Sequence, residues 1–338
     1  MGDTYRRLRR MVTLTLVLTA AVWLAATTLL LGSRATIASA AEEANPALLA
    51  SLAAHAALSD TDRAAWQSFR GGEVKLTGPG RRYRDDITTA GENLVRLAEL
   101  DTTGTAGRQA LLAVNGQLVT YQGLVEQADA SYRQGADDLG YAYLTYSSNL
   151  LHGPGGLLSR IEDMARLNRR AIERSHTSPW VDPGTPLVAL LAAGVLLGHL
   201  LRVQVFLSRA FRRTINPPLL AATLVLCVLA IWTTLALNGG HQAFRSAERQ
   251  ALPALSQVWQ TQIRRADLGT AALRANASRV ASAEPDLTAA EPARARLDTL
   301  MARALDSGGL TAGLPIGAVA VAVLATAGLR LRLNEFRG

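Results

Sequence analysis

Four runs of about 20 residues with few or no charged side chains constrain this chain more than any other feature: 12–31, 186–207, 217–237 and 310–329. Roughly 20 apolar residues in helical form cross a hydrocarbon core about 30 Å thick, and in lipid every backbone amide must find its partner within the segment. The chain is therefore expected to cross a lipid bilayer four times. The first and third runs are clean, whereas the second contains His199 and Arg202 and the fourth is rich in Ala and Gly, with Pro315 inside it.

Charge sets the expected orientation. The formal net charge is +8, which by itself is compatible with nucleic acid or anionic lipid as a partner. Position decides between them. Arg6, Arg7, Arg9, Arg10, Arg202, Arg209, Arg212, Arg213, Arg330, Arg332 and Arg337 flank run ends that all fall on one side, with only Asp3 and Glu335 as acids; the rest of the chain holds 24 basic and 25 acidic residues. Excess Arg in short loops marks the cytoplasmic face, so both termini are expected inside. Contact with anionic headgroups, at about 1 kcal/mol per Arg, explains the charge, and nucleic acid is excluded. Arg outnumbers Lys 34 to 1 and Ala is abundant, as in a high-GC bacterial genome, so the expected location is a bacterial plasma membrane.

These runs divide the chain into a cytoplasmic N-terminus (1–11), an outer segment (32–185), a cytoplasmic loop (208–216), a second outer segment (238–309) and a cytoplasmic C-terminus (330–338). A rival reading treats the first run as a signal peptide cleaved near Ala38-Ser39-Ala40. The apolar region of a signal peptide has about 7 to 15 residues; this run is longer, and an uncleaved anchor is expected. The only cysteine, Cys227, falls within the third run, so no disulfide framework holds the outer segments. Asn276-Ala277-Ser278 fits a glycosylation pattern that carries little weight in a bacterial host.

Both outer segments read as helix, giving an all-α fold: four transmembrane helices with an extracytoplasmic helical bundle. Leu111, Val114, Leu118, Tyr121, Val125, Ala128 and Tyr132 alternate spacings of three and four, a heptad seam. Beyond Gly135 the pattern continues through Leu139, Tyr143, Tyr146 and Leu150 until the break at 152–156. A helix over 157–176 places Leu157, Ile161, Met164 and Ala171 on one face. Upstream, 37–58 extends outward from the first run, Ser59 and Asp60 read as the cap of a short helix ending near Phe69, 71–82 reads as loop, and 87–100 reads as helix. The second outer segment reads as two helices, 242–283 with a kink at Pro253, and 287–305. Such a hairpin must bury its apolar faces against the larger segment or a second copy.

Catalytic signatures are missing: there is no phosphate-binding glycine loop, no metal-spaced histidine pair and no nucleophile elbow. A non-enzymatic protein without cofactor or metal is expected. Five of the seven tyrosines lie between 121 and 146, beside polar side chains. Bundle core is their first reading. The sharper one is a partner or ligand surface made of Tyr121, Gln122, Glu126, Tyr132, Arg133, Gln134 and Tyr143. His199 and Arg202 are candidate intramembrane polar groups, with an interhelical hydrogen bond for the first and a headgroup contact for the second as the plainer roles. Gly194 with Gly198, and Gly313 with Gly317, form two GxxxG pairs suited to close helix packing, either within one chain or in a homodimer.

The stretch 121–128, Tyr-Gln-Gly-Leu-Val-Glu-Gln-Ala, followed by Arg133-Gln134-Gly135 and Ala142-Tyr143-Leu144, resembles a family of four-pass actinobacterial membrane proteins. That resemblance implies a link between an amino-acid-binding lipoprotein outside and a soluble Ser/Thr protein kinase inside, and it carries over no site residue. The segment between the first two runs also resembles four-helix sensor domains of bacterial receptors, without their signalling helix after the second span. The function expected is a membrane sensor or relay; a structural subunit of a transporter or envelope complex is the alternative, and transport by the protein itself comes third. Prolines at 179, 183 and 186 and the pairs Gly239-Gly240 and Gly308-Gly309 are expected to interrupt the other three runs, leaving only the first to run straight into its outer helix.

Overall fold

The computed structural model describes residues 2–72, 78–100, 104–180, 182, 184–211, 217–275, 290–306 and 309–334. Arg212, Arg213, Glu335, Arg337, Gly308, Pro183 and the 276–278 glycosylation pattern lie outside them. Among the described residues every regular element is a helix: α1 (Gly2–Ala38), π1 (Ser39–Ala44), α2 (Asn45–Arg70), α3 (Gly80–Glu99), α4 (Gly104–Arg133), α5 (Asp137–His152), α6 (Leu157–His176), α7 (Thr185–Phe211), α8 (Pro217–Ser246), π2 (Ala247–Ala251), α9 (Leu252–Arg274), α10 (Ala290–Leu305) and α11 (Leu310–Asn334). Four helical stretches are long and apolar enough to cross a membrane.

The chain divides into two compact units. The span unit comprises residues 1–37, 176–246 and 299–338. Its α8 packs along α11 on one side and along α7 on the other. Leu196, Leu200 and Val203 of α7 meet Leu219, Ala222 and Leu226 of α8 and Val321 and Ala325 of α11, with Met11, Val12, Leu18 and Val22 of α1 against this core. The α8–α11 contact depends on small residues: a Cβ on Gly313 would stand 2.6 Å from the Trp232 ring, and one on Gly317 would stand 2.2 Å from Leu229. Gly194 and Gly198 of α7, by contrast, meet nothing within 4 Å.

The bundle unit comprises residues 38–175 and 247–298. Its centre is α2, of whose 26 residues 21 are buried. Alanines at 47, 50, 53, 54, 56, 57, 64 and 65 make this helix thin enough to accept neighbours on every side. Helix α3 packs along one face of α2 and α9 along another, while α4 and α5 form an antiparallel pair joined by the turn at Gly135. The first helix of the second outer segment thus covers the larger segment of the same chain. All seven residues of the α4 seam are buried, as the heptad spacing requires.

Other expectations need correction. Ser59 and Asp60 do not cap a new helix; both are buried inside α2, where apolar contact on all sides overrides the local capping preference. The seam of α5 is displaced by one position: Gly140, Leu144, Ser147, Ser148 and Leu151 face inward, while Leu139 and Tyr146 are 50% and 71% exposed. Gly135 has a φ of +80° and resets the phase between α4 and α5, and Gly140 approaches the Ala128 carbonyl so closely that a Cβ would lie 3.1 Å from it. Helix α8 passes through Gly239 and Gly240 without a break and continues as π2 and α9. A glycine within a helix costs only about 1 kcal/mol, and Gly240 admits the Ala304 carbonyl, 3.1 Å from where a Cβ would be. Both the first and the third apolar runs therefore continue directly into bundle helices.

Candidate functional site: a buried polar core

A carboxylate on the central helix organises the site. Asp62 is fully buried, and burying an ionised carboxylate is tolerated only where hydrogen bonds replace water. Three donors from two other helices supply them. The Tyr121 hydroxyl of α4 donates to Asp62 Oδ1 at 3.4 Å; the Ser148 hydroxyl of α5 donates to Oδ2 at 2.7 Å; and His152 Nε2, at the end of α5, lies 3.1 Å from Oδ2. The opposite ring nitrogen of His152 faces Asp267 of α9 at 4.0 Å. His152 is part-exposed, so the network joins the interior of the bundle to solvent through one imidazole.

A second polar layer lies beside it on α2 and α3. Arg63 donates to Asp60 at 2.6 Å, both within the interior, and Gly269 of α9 leaves room for the Arg63 stem, 2.8 Å from where a Cβ would be. Arg82 sits 3.8 Å from Asp86. Burial, reinforced by the nearby Asp60 charge, pushes the Asp86 carboxyl up to about 6 against the opposing pull of Arg82 and Arg63. Tyr83 is buried near Asp62 and Glu126, and burial pushes its phenol upward. The same causes raise Tyr121, with burial first and the Asp62 charge second. Both phenols are therefore held neutral, and the Tyr121 hydroxyl donates to Asp62.

The residues picked out by sequence divide between core and surface. Tyr121 and Tyr132 are buried, Gln122 and Tyr143 half-buried, and Glu126, Arg133 and Gln134 exposed. Tyr132 stacks edge-on against Phe69 at 5.5 Å and Tyr141 at 5.8 Å, and Arg133 pairs with Asp129. Of the seven, Tyr121 is the one tied by a hydrogen bond to the buried Asp62. In the span unit, His199 is half-buried and its Nε2 lies 3.1 Å from the Thr15 hydroxyl, a bond between α1 and α7, whereas Arg202 is exposed. A matching bond joins Ser33 of α1 to His241 of α8 at 2.9 Å.

Sequence reading missed Asp62, Ser148, His152 and Asp267. The available signal was the polar run Ser59-Asp60-Thr61-Asp62-Arg63 within an alanine-rich helix, which turns polar on all sides at once. Surface helices confine polarity to one face.

A helical protein with four apolar spans and a bundle built around a buried polar core belongs to the broad class of membrane proteins with a dedicated helical domain. Residues 36–177 match the family model of the actinobacterial sensor domain, which supports a sensor domain over that segment. The match takes in α2 to α6 and hence Asp62, Tyr121, Ser148 and His152. Neither a curated protein nor a solved structure matches the chain.

Proposed function

We propose that the chain is a non-enzymatic membrane sensor or relay, with its bundle outside the cell and both termini in the cytoplasm of an actinobacterium. The bundle engages a ligand or a binding protein, and the resulting change in helix packing is read at the short basic segments by a separate partner, a protein kinase being the partner the family resemblance implies. One observation carries this reading: the sensor-domain match includes a central helix whose buried carboxylate ties α2 to α4 and α5. A two-packing relay needs states that differ by a few kcal/mol and a stimulus that distinguishes them. A buried charge with several exchangeable partners supplies such a difference, because each lost hydrogen bond to it costs about 1 to 3 kcal/mol.

Affinity capture of the full chain from its native membrane tests the proposal. Recovery of a solute-binding lipoprotein together with a protein kinase is expected. Recovery of a permease or cell-wall enzyme in their place would move the assignment to a scaffold subunit. Asp62→Asn should weaken the recovery of the kinase without changing the amount of protein in the membrane.

A further inference from the structure

The chain just beyond the third apolar run repeats the chain just beyond the first. Ser39-Ala-Ala-Glu-Glu-Ala-Asn-Pro-Ala-Leu48 and Ser246-Ala-Glu-Arg-Gln-Ala-Leu-Pro-Ala-Leu255 share six of ten residues at a constant offset of 207. The structure repeats with the sequence. Each motif holds a π-helical segment, 39–44 in one and 247–251 in the other, that ends two residues before its proline. Burial repeats as well: Ala40 and Ala247, Ala44 and Ala251, Leu48 and Leu255 are all buried. Spaced four residues apart, they line one face of each helix.

The winding has a local cause. In an α-helix the Pro46 ring would collide with the Glu42 carbonyl, and the proline has no N–H to offer it. Widening the preceding turn relieves the collision, and the Asn45 N–H bonds Ala40 O, five residues back. Pro253 stands in the same relation to Arg249. A π turn holds one residue more than an α turn, so converting one into the other turns the helix beyond it by about 100°.

The two helices also run in register at the repeat offset. In the span unit Ser33 bonds His241, 208 residues on. In the bundle unit Arg63 faces Gly269, 206 residues on. Positions within one residue of equivalence in the repeat thus stand side by side, and α2 packs along α9.

We propose that the two proline-linked π segments are a matched pair of register joints, which the bundle converts together between π and α winding. A lone π bulge has an ordinary explanation as a residue inserted into a helix. Two bulges at equivalent positions of a repeated motif, on helices paired in register, form a device in which the winding of one constrains the other. The proposal takes its purpose from the sensor reading, but the joints stand on their own geometry.

Amide hydrogen exchange on the full chain in lipid nanodiscs tests it. Amides of 39–45 and 246–252 should exchange at least tenfold faster than those one turn to either side, and equal protection would overturn the proposal. Deleting Ala41 removes the extra residue, restores α winding and leaves the flanking faces in phase. The deletion should slow exchange across 246–252 at least fivefold, and no change there would overturn the coupling. Should the deletion fail to fold, Pro253→Ala gives the reciprocal reading, with slower exchange expected over 39–45 and unchanged exchange again counting against the pair. Failure to capture a kinase would overturn the sensor reading and leave these exchange rates untouched, and uniform exchange would do the reverse.

Discussion

Asp62 concentrates the energetic consequences of the bundle in one side chain. Its removal leaves Tyr121 and Ser148 as buried donors without an acceptor, at about 1 to 3 kcal/mol each. Asp62→Ala should therefore lower the stability of the bundle by about 3 kcal/mol, read from denaturant unfolding, and a loss below about 0.5 kcal/mol would show that the network is not what holds α2 to its neighbours. Asp86 makes a separate prediction. Its carboxyl binds a proton more tightly folded than unfolded, being pushed from 3.8 up to about 6. Stability from that group is complete below about pH 4 and is lost as pH rises through about 6. Asp86→Asn should thus exceed the natural protein in stability at pH 7.5 by an amount on the order of 2 kcal/mol, with the advantage disappearing near pH 4; an advantage that does not vary with pH would contradict this account.

At the scale of the element, legibility followed the source of the order. The α4 seam was readable because seven buried positions repeat at three and four. The phase of α5 was not, since a single left-handed glycine resets it and two serines occupy inward positions that an apolar pattern would fill. The site was hidden for a related reason: Asp62 finds its partners 59, 86 and 90 residues away, and no local pattern encodes such pairings. Glycines gave an equally mixed signal. The two GxxxG pairs look alike in sequence, but only Gly313 and Gly317 lie against a neighbouring helix of the same chain. Gly317→Phe should destabilise the span unit by about 1 to 3 kcal/mol through overpacking against Leu229, while Gly194→Phe should change the thermal midpoint in detergent little. Equal effects would refute the packing described for α8 and α11.

At the scale of the whole molecule, the proposed relay requires the bundle outside and the chain ends inside, the orientation expected from the arginine bias. The course of α8 bears on the proposed relay, because two apolar runs, not one, continue as helix into bundle helices. A relay needs such continuity, since a flexible connection would absorb the small displacements that repacking produces. The most direct test uses single cysteines in a Cys227→Ser background, probed in intact cells with a membrane-impermeant thiol reagent. Gln134→Cys, exposed at the turn between α4 and α5, should label at once, and Arg10→Cys, before the first apolar run, should label only after the membrane is permeabilised. Labelling of Arg10→Cys in intact cells, with Gln134→Cys protected, would place the bundle inside and contradict the account.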